Sequence, residues 1–186
     1  MKKLITFVLL AGWVLTSYSQ EVIELEETTL TFEPTAEVVF EDYANGIVKV
    51  RENYAAQFQS NAIAFIQENF DINKFRRESG NEDGEIYVTV TSSNGRLDAT
   101  YNSDNELVRT YQKFENVPLP YEVRNEVYAS YMGWTLTKDK YIASGIESNI
   151  DKEKYIVYLE KDNKREKLKI TPARNSATGV AMVEKF

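Results

Sequence analysis

Residues 86–101 have the sequence IYVTVTSSNGRLDATY, and this stretch decides the fold class. Apolar and polar side chains alternate along both halves, which is the period of a β-strand with one buried face. The alternating apolar residues are Ile86, Val88, Val90, Leu97, Ala99 and Tyr101. Between the halves lies Asn94-Gly95, the dipeptide favoured at the centre of a type I′ hairpin turn. The stretch therefore predicts an antiparallel hairpin with one face turned to a core.

Further elements are predicted on both sides of this hairpin. Before it, apolar residues recur at spacings of three and four, which is the period of an amphipathic helix. After it, Pro118 and Pro120 suit the start of a second helix, and Gly133 suits its C-cap. The expected elements are a helix over 51–70, a strand over 107–114, a helix over 121–132 and strands over 134–142, 155–159 and 167–170.

The two halves of the chain resemble each other. Ile86–Val90 and Tyr155–Leu159 are each followed by a polar turn and an alternating strand, and each comes after a predicted helix. We interpret the chain as an α+β protein of two helix-plus-antiparallel-meander repeats that share one core, with the helices packed on one face of the sheet. The alternative is a chance similarity between two parts of an α+β chain.

Composition excludes several classes of enzyme and metal site. The chain has 186 residues, no histidine, no cysteine and a formal net charge of -7. Without cysteine there is no disulfide framework, zinc–thiolate site or cysteine nucleophile. Without histidine there is no Ser-His-Asp triad and no imidazole general base. Carboxylates, lysine, tyrosine and hydroxyl groups remain as possible chemistry.

The N-terminus has the organisation of a secretory signal peptide. Lys2 and Lys3 precede an apolar run over residues 4–15, and Ser17 and Ser19 stand at the positions that a signal peptidase recognises. The run is shorter than the ~20 residues that span a bilayer, so cleavage after Ser19 is expected, with an uncleaved anchor as the alternative. We therefore divide the chain into a signal peptide (1–19), an N-terminal strand or extension (20–48) and one domain (49–186), located in the periplasm or secreted.

The excess of acidic residues indicates which classes of partner the chain can bind. Losing Lys2 and Lys3 with the signal peptide reduces the 22 basic residues to 20, against 29 acidic ones. An acidic chain is unfavourable for nucleic acid, whose phosphates need clustered Lys and Arg. The expected partner is a protein or peptide, with no nucleic acid and no membrane insertion once the signal is removed.

A resemblance is carried by the second half of the chain. Residues 113–120 have the sequence KFENVPLP and lead into a helix that ends with Tyr131, Met132, Gly133 and Trp134. In this order the segments resemble the exported PepSY-like proteins with a β-lactamase-inhibitor-protein-like fold. The resemblance is best over about 102–170, is weaker over 54–101, and departs from the family at residues 172–179, where a short Asp- and Gly-containing turn is usual. It implies a tandem PepSY-like domain over 49–186 with a non-catalytic role, in which an open sheet face binds, and in some relatives inhibits, another protein.

The sequence gives little evidence for a catalytic site or a metal site. The acidic pairs Glu26-Glu27, Glu41-Asp42 and Glu82-Asp83 lie in polar stretches where carboxylates stay solvated and ionised, so no catalytic residue is assigned. Residues 81–85 and 102–106 are rich in oxygen ligands, but neither matches an EF-hand loop, and Asn, Asp and Gly serve equally in hairpin turns. No cofactor or metal is assigned.

The candidate binding residues are Tyr87, Ile156 and Tyr158. If their strand neighbours face the helices, these three side chains point to an open sheet face, where tyrosine provides apolar area and a hydrated hydroxyl. The alternative is that both faces are covered, one of them by residues 20–48. Trp134 is interpreted as a core anchor. An exported module that binds through the open face or an edge strand is the leading hypothesis, with a carboxylate-dependent envelope hydrolase or a small-ligand or cation sensor as alternatives.

Overall fold

The computed structural model describes residues 39–44, 46–80, 83–172 and 182–185. The predicted signal peptide, and the strand proposed around residues 22–32, lie outside the described residues. So does most of the segment 172–179, where the sequence departs from the PepSY-like pattern.

The described residues form an α+β fold of nine strands, a short 3-10 helix and four α-helices. The strands are β1 (Phe40–Ala44), β2 (Ile47–Val50), β3 (Ile86–Ser92), β4 (Gly95–Tyr101), β5 (Leu107–Glu115), β6 (Thr135–Ile146), β7 (Asn149–Lys161), β8 (Lys164–Thr171) and β9 (Met182–Lys185). The 3-10 helix covers Glu52–Tyr54, and the α-helices are α1 (Ala55–Ser60), α2 (Ala62–Asn69), α3 (Ile72–Ser79) and α4 (Tyr121–Ser130). None of the helices described is long and apolar enough to span a membrane.

The nine described strands form one sheet in the order of the sequence, from β1 to β9. Every neighbouring pair is antiparallel except β2 and β3, which run parallel. Parallel neighbours need a long crossover connection, and helices α1, α2 and α3 lie within it. The α+β class is confirmed. The sheet is mixed rather than purely antiparallel, and the expected boundary between residues 48 and 49 falls inside β2.

Two clusters of buried side chains form the core. The first joins strands β2–β5 to the helices of the crossover, through contacts such as Phe58 with Phe114, whose ring centroids are 5.3 Å apart. The second joins α4 to β7 and β8, and the partly buried side chains of Val117 and Tyr141 pack against both clusters. We call the sheet face that carries these buried side chains the core face, and the opposite face the polar face.

The predicted alternation is confirmed in residues Ile86–Val90 and Tyr155–Leu159. The predicted inward residues are all buried: Ile86, Val88, Val90, Tyr155, Val157 and Leu159. Between them, Tyr87 is 67% exposed, and Ile156 and Tyr158 are partly exposed. Burial of Tyr101 at the end of β4 raises the pKa of its phenol to about 12.

Residues 51–70 differ from the single helix that the periodicity predicts. The segment is divided at Asn61, whose φ of -154° and ψ of 79° are not helical. The Asn61 side chain accepts a hydrogen bond from the Ala64 N–H (3.2 Å) and so caps α2. The predicted apolar face is kept across the break, because the rings of Phe58 in α1 and Phe65 in α2 are in contact, with centroids 5.3 Å apart. The periodicity located the buried face correctly but could not show the break.

The β3–β4 hairpin is confirmed, but the turn type predicted for Asn94-Gly95 is wrong. Ser92 pairs with Gly95, so Ser93 and Asn94 are the central residues, and neither has the positive φ of a type I′ turn. Gly95 is needed for a different reason, because a Cβ there would collide with the Lys113 carbonyl oxygen. Positive φ at both central positions occurs instead in the β7–β8 turn, at Asp162 (47°) and Asn163 (63°).

Helix α3 was not predicted, and it carries a buried charge. Arg76 is 7% exposed and donates hydrogen bonds to Asn105 Oδ1 (2.6 Å), the Asn102 carbonyl (2.6 Å) and the Gly84 carbonyl (3.1 Å). The planar guanidinium thereby joins α3 to the β4–β5 turn and to the loop before β3. The short helix is held in place by these hydrogen bonds as well as by its apolar residues Ile72 and Phe75.

We expect Arg76→Lys to lower the free energy of unfolding by about 2–3 kcal/mol, because one ammonium cannot reach all three acceptors and a buried charge is left with fewer hydrogen bonds. Urea denaturation followed by circular dichroism measures the change. The matched control is Arg77→Lys, since Arg77 is the exposed next residue of the same helix. Equal stability of the two variants would contradict the role given to Arg76.

Candidate binding site

The polar face of strands β5–β8 carries three apolar or aromatic side chains between lysines. Cross-strand pairing places Ile142 between Lys113 and Lys154, Ile156 between Lys140 and Lys169, and Tyr158 between Lys138 and Lys167. We call these nine residues the lysine-framed patch. Directly opposite residues of antiparallel strands have Cβ atoms about 4.5–5.5 Å apart, so each central side chain lies beside two lysine stems.

The patch follows from strict alternation along three long strands. Lysines occupy alternate positions at Lys138 and Lys140 of β6 and at Lys167 and Lys169 of β8. Neutral side chains occupy the matching positions of β7. The aliphatic stems of the lysines cover apolar area while their ammonium groups stay in water, and this explains why Ile156 and Tyr158 are only partly exposed.

Glutamates neutralise part of this charge. Glu115 forms ion pairs with Lys138 (2.7 Å) and Lys140 (3.1 Å), and Glu184 of β9 pairs with Lys169 (2.8 Å). The two lysine hydrogen bonds hold the pKa of the Glu115 carboxyl below its usual value, and Glu115 in turn raises the pKa of Lys140. These exposed pairs contribute little to stability, but they fix the positions of the ammonium groups.

Lys113 and Lys154 retain free charge. Neither forms an ion pair with any residue that the structure describes, and both flank Ile142. The ion pairs described above engage Glu115 and Glu184, and the lysine-framed patch carries six lysines although the whole chain has a net charge of -7. The result is a local positive surface on an acidic protein.

A hollow on the sheet surface adjoins the patch. It has a volume of about 460 Å³ and is lined in part by Ile142, Lys154, Tyr111 and Pro172. Ile142 thus forms part of both the patch and the hollow. Asp151, Lys152 and Glu153 also line the hollow, so a side chain bound here would contact apolar carbon and charged groups of both signs.

Tyr87 does not belong to this patch. It lies on β3, four strand spacings from Ile156 and Tyr158 on β7, which is about 19 Å across the sheet. Its hydroxyl donates to Glu85 Oε2 (2.6 Å), which raises the pKa of the Tyr87 phenol, and Glu85 also pairs with Arg109 (3.6 Å). The structure therefore brings together two of the three predicted binding residues.

The framing lysines and Ile142 were not singled out from the sequence. Alternate lysines were visible in the sequence at 138 and 140 and at 167 and 169. Which residues they flank depends on strand register, which those local patterns do not contain.

Asp139 is a buried carboxylate, 5% exposed, that sequence analysis also missed. Desolvation raises the pKa of Asp139, and the hydrogen bond that its Oδ1 accepts from the Val117 N–H (2.8 Å) acts in the opposite direction. The Asp139 carbonyl also accepts from the Asn116 N–H (3.1 Å). Asp139 thus holds the segment that leads from β5 to α4.

We expect Asp139→Asn to gain stability relative to the wild type as pH rises from about 4 towards neutrality. The fold raises the pKa of this acid, so ionising Asp139 costs folding free energy above its ordinary pKa of 3.8. The Asn side chain still offers an oxygen to the Val117 N–H. Urea denaturation at a series of pH values measures the difference between the two proteins.

Glu115→Gln is the matched comparison. This variant should lose stability relative to the wild type as pH rises through the same range. The pKa of Glu115 is lowered, so its contribution is present above the ordinary value of 4.5 and is lost as pH falls through the folded pKa. The same trend in both variants would contradict the environments described for these two carboxylates.

The candidate cation loops behave as turns where they are described. In the β4–β5 turn, Asn102 Oδ1 accepts hydrogen bonds from the backbone N–H groups of Asp104 (3.0 Å) and Glu106 (2.8 Å). Among the residues with described positions, no three acidic side chains gather as a metal-binding group. Asn81 and Glu82 of the other loop lie outside the described residues.

In comparisons with known proteins, no family model, no curated protein and no solved structure matches the chain.

Proposed function

We propose that the chain is an exported, non-catalytic binding module that holds an acidic segment of a protein or peptide on the lysine-framed patch. The observation that carries the proposal is the cross-strand placement of Ile142, Ile156 and Tyr158, each between two lysines. Export and a location in the periplasm or outside the cell rest on the signal-peptide pattern of residues 1–19.

The proposed fold assignment is a tandem PepSY-like domain with two helix-plus-meander repeats. Its support is the order of elements, since α1–α3 precede the meander β3–β4–β5, and α4 precedes the meander β6–β7–β8. Each meander and the helix before it contribute to one of the two buried clusters. On this proposal the helices pack against one face of the sheet, and the polar face is the binding surface.

Charge and shape together favour an acidic partner. Positive potential attracts carboxylates over a distance of about a Debye length and orients the encounter. Tyr158 and the two isoleucines then provide area that is removed from water on contact, and this area determines how long the complex lasts. Lys113 and Lys154 contribute most to the attraction, since neither ammonium group is paired with a carboxylate of the described residues.

An extended peptide suits the geometry. Its side chains project alternately from its two faces, so acidic residues on one side can meet lysines while apolar residues meet the centre of the patch. The hollow beside Ile142 can accept one side chain of the partner. Tyr87 is a separate candidate contact for a partner large enough to extend across the sheet.

We expect the double variant Lys113→Glu/Lys154→Glu to weaken binding of a fluorescent peptide of alternating Glu and Val by about tenfold or more. The reversed charges repel the peptide carboxylates, and added salt should weaken the wild-type complex. Fluorescence anisotropy with the mature chain measures both effects.

The matched control is Lys74→Glu/Arg77→Glu, which changes net charge equally but lies on exposed positions of α3. Equal loss in both double variants would show that only overall charge matters. A peptide with Lys in place of Glu should not bind. Binding to phosphatidylglycerol vesicles but not to the acidic peptide would replace the proposal with a membrane-surface role.

A further inference from the structure

A pocket on the core face, away from the lysine-framed patch, is lined in part by a largely buried glutamine side chain. The pocket has a volume of about 550 Å³. Its walls come from both buried clusters, since Ile63 belongs to the first cluster, Tyr155 belongs to the second, and Val117 packs against both. Its volume lies within the range of small-molecule sites, roughly 300–1,000 Å³.

Gln112 is the residue that favours a ligand site over a packing defect at this pocket. It lies on the core face of β5, is 4% exposed and lines the pocket. Its side-chain amide is not among the fully enclosed, unpaired polar groups of the described residues, which are Asn69 Oδ1 and Thr110 Oγ1, and the residue lines the open space of the pocket. A ligand group that supplies both an acceptor and a donor can hydrogen-bond this amide, and one such hydrogen bond contributes about 0.5–1.5 kcal/mol net.

The neighbouring residues of the sheet leave room for this amide. Ala143 pairs with Gln112 across β5 and β6, and Gly145 pairs with Thr110. A Cβ at Gly145 would collide with Thr110 Oγ1, which is itself buried without a hydrogen-bond partner in the described residues. The two positions of β6 opposite Gln112 and Thr110 therefore carry small residues.

The walls determine the class of ligand. Tyr141 and Tyr155 form an aromatic wall, with ring centroids 5.0 Å apart. The residues that line the pocket are all uncharged: Ala56, Gln59, Ser60, Asn61, Ala62, Ile63, Gln112, Val117, Pro118, Tyr141, Ser148, Ile150 and Tyr155. The Glu153 carboxylate accepts a hydrogen bond from the Tyr141 hydroxyl (2.9 Å), and its charge disfavours an anionic ligand beside the aromatic wall.

We propose that this pocket binds an uncharged, ring-bearing amide, whose ring packs on Tyr141 and Tyr155 and whose amide pairs with the side chain of Gln112. A carboxamide supplies one donor and one acceptor, which is the complement of the glutamine amide. The ring supplies the apolar area that the aromatic wall offers. The site is independent of the acidic-peptide proposal, since it uses the other face of the sheet.

The test uses N-acetyl-phenylalaninamide and its free acid, N-acetyl-phenylalanine, as probes of the mature chain. We expect the amide to shift the Gln112 side-chain amide signals in NMR spectra and to bind about tenfold more tightly than the acid. Gln112→Leu keeps the side-chain volume but removes the amide, and should weaken binding by about tenfold. Equal binding of the two probes, or no binding of the amide, would overturn the proposal.

A second pair of variants keeps the test decisive if Gln112→Leu does not fold. Ala56→Trp places a bulky ring at the rim of the pocket from an exposed position of α1 and should abolish binding. Gln57→Trp, at the exposed neighbouring position outside the pocket lining, should leave binding unchanged. Unchanged binding in Ala56→Trp, or a crystal structure with the probe bound elsewhere and only water on Gln112, would also overturn the proposal.

Discussion

The register of the antiparallel strands β5–β8 is the constraint on which the surface chemistry of the molecule depends. Side chains alternate between the two faces with a period of two, so a slip by one residue would exchange the faces completely. In the observed register, Leu168 and Ile170 are buried while Lys167 and Lys169 lie on the polar face. A slipped strand would bury two ammonium groups without partners, and this cost makes the register specific.

The same alternation separates two kinds of chemistry across one sheet. The polar face combines exposed ammonium groups with a few apolar side chains, which suits a charged polymer approaching from solvent. The core-face pocket at the junction of the two clusters is lined by uncharged residues, which suits a small neutral molecule. Strand β5 contributes to both, through Lys113 on one side and Gln112 on the other.

Local patterns in the sequence predicted the α+β class, the central hairpin and the inward residues of β3 and β7. They succeeded because alternation and helical period are properties of neighbouring residues. Helix α3 was missed because Arg76, a charged residue, takes a buried position that only its distant hydrogen-bond acceptors explain. The turn type at Asn94-Gly95 was wrong because the close approach of Lys113, a residue of the next strand, determines the need for glycine.

The candidate sites were less predictable than the fold. Tyr158 was identified from its strand pattern, but Lys113 and Lys154 meet at Ile142 only through the pairing of three strands. Gln112 had a visible signal, since Thr110 and Gln112 are polar at positions where β5 should be apolar. Such a break in alternation marks an unusual position, but the sequence does not show whether a pocket lies above it.

The single parallel pair has a consequence for how the chain acquires its structure. Strands β3 to β8 are joined in order by antiparallel pairing, and most of their contacts are between segments close in sequence. Three helices separate β2 from β3 in the sequence. Pairing of β2 with β3 therefore closes a longer loop, and it carries a larger loss of chain entropy than pairing of two strands joined by a short turn. We therefore expect the β1–β2 hairpin to dock late, on a meander that has already assembled.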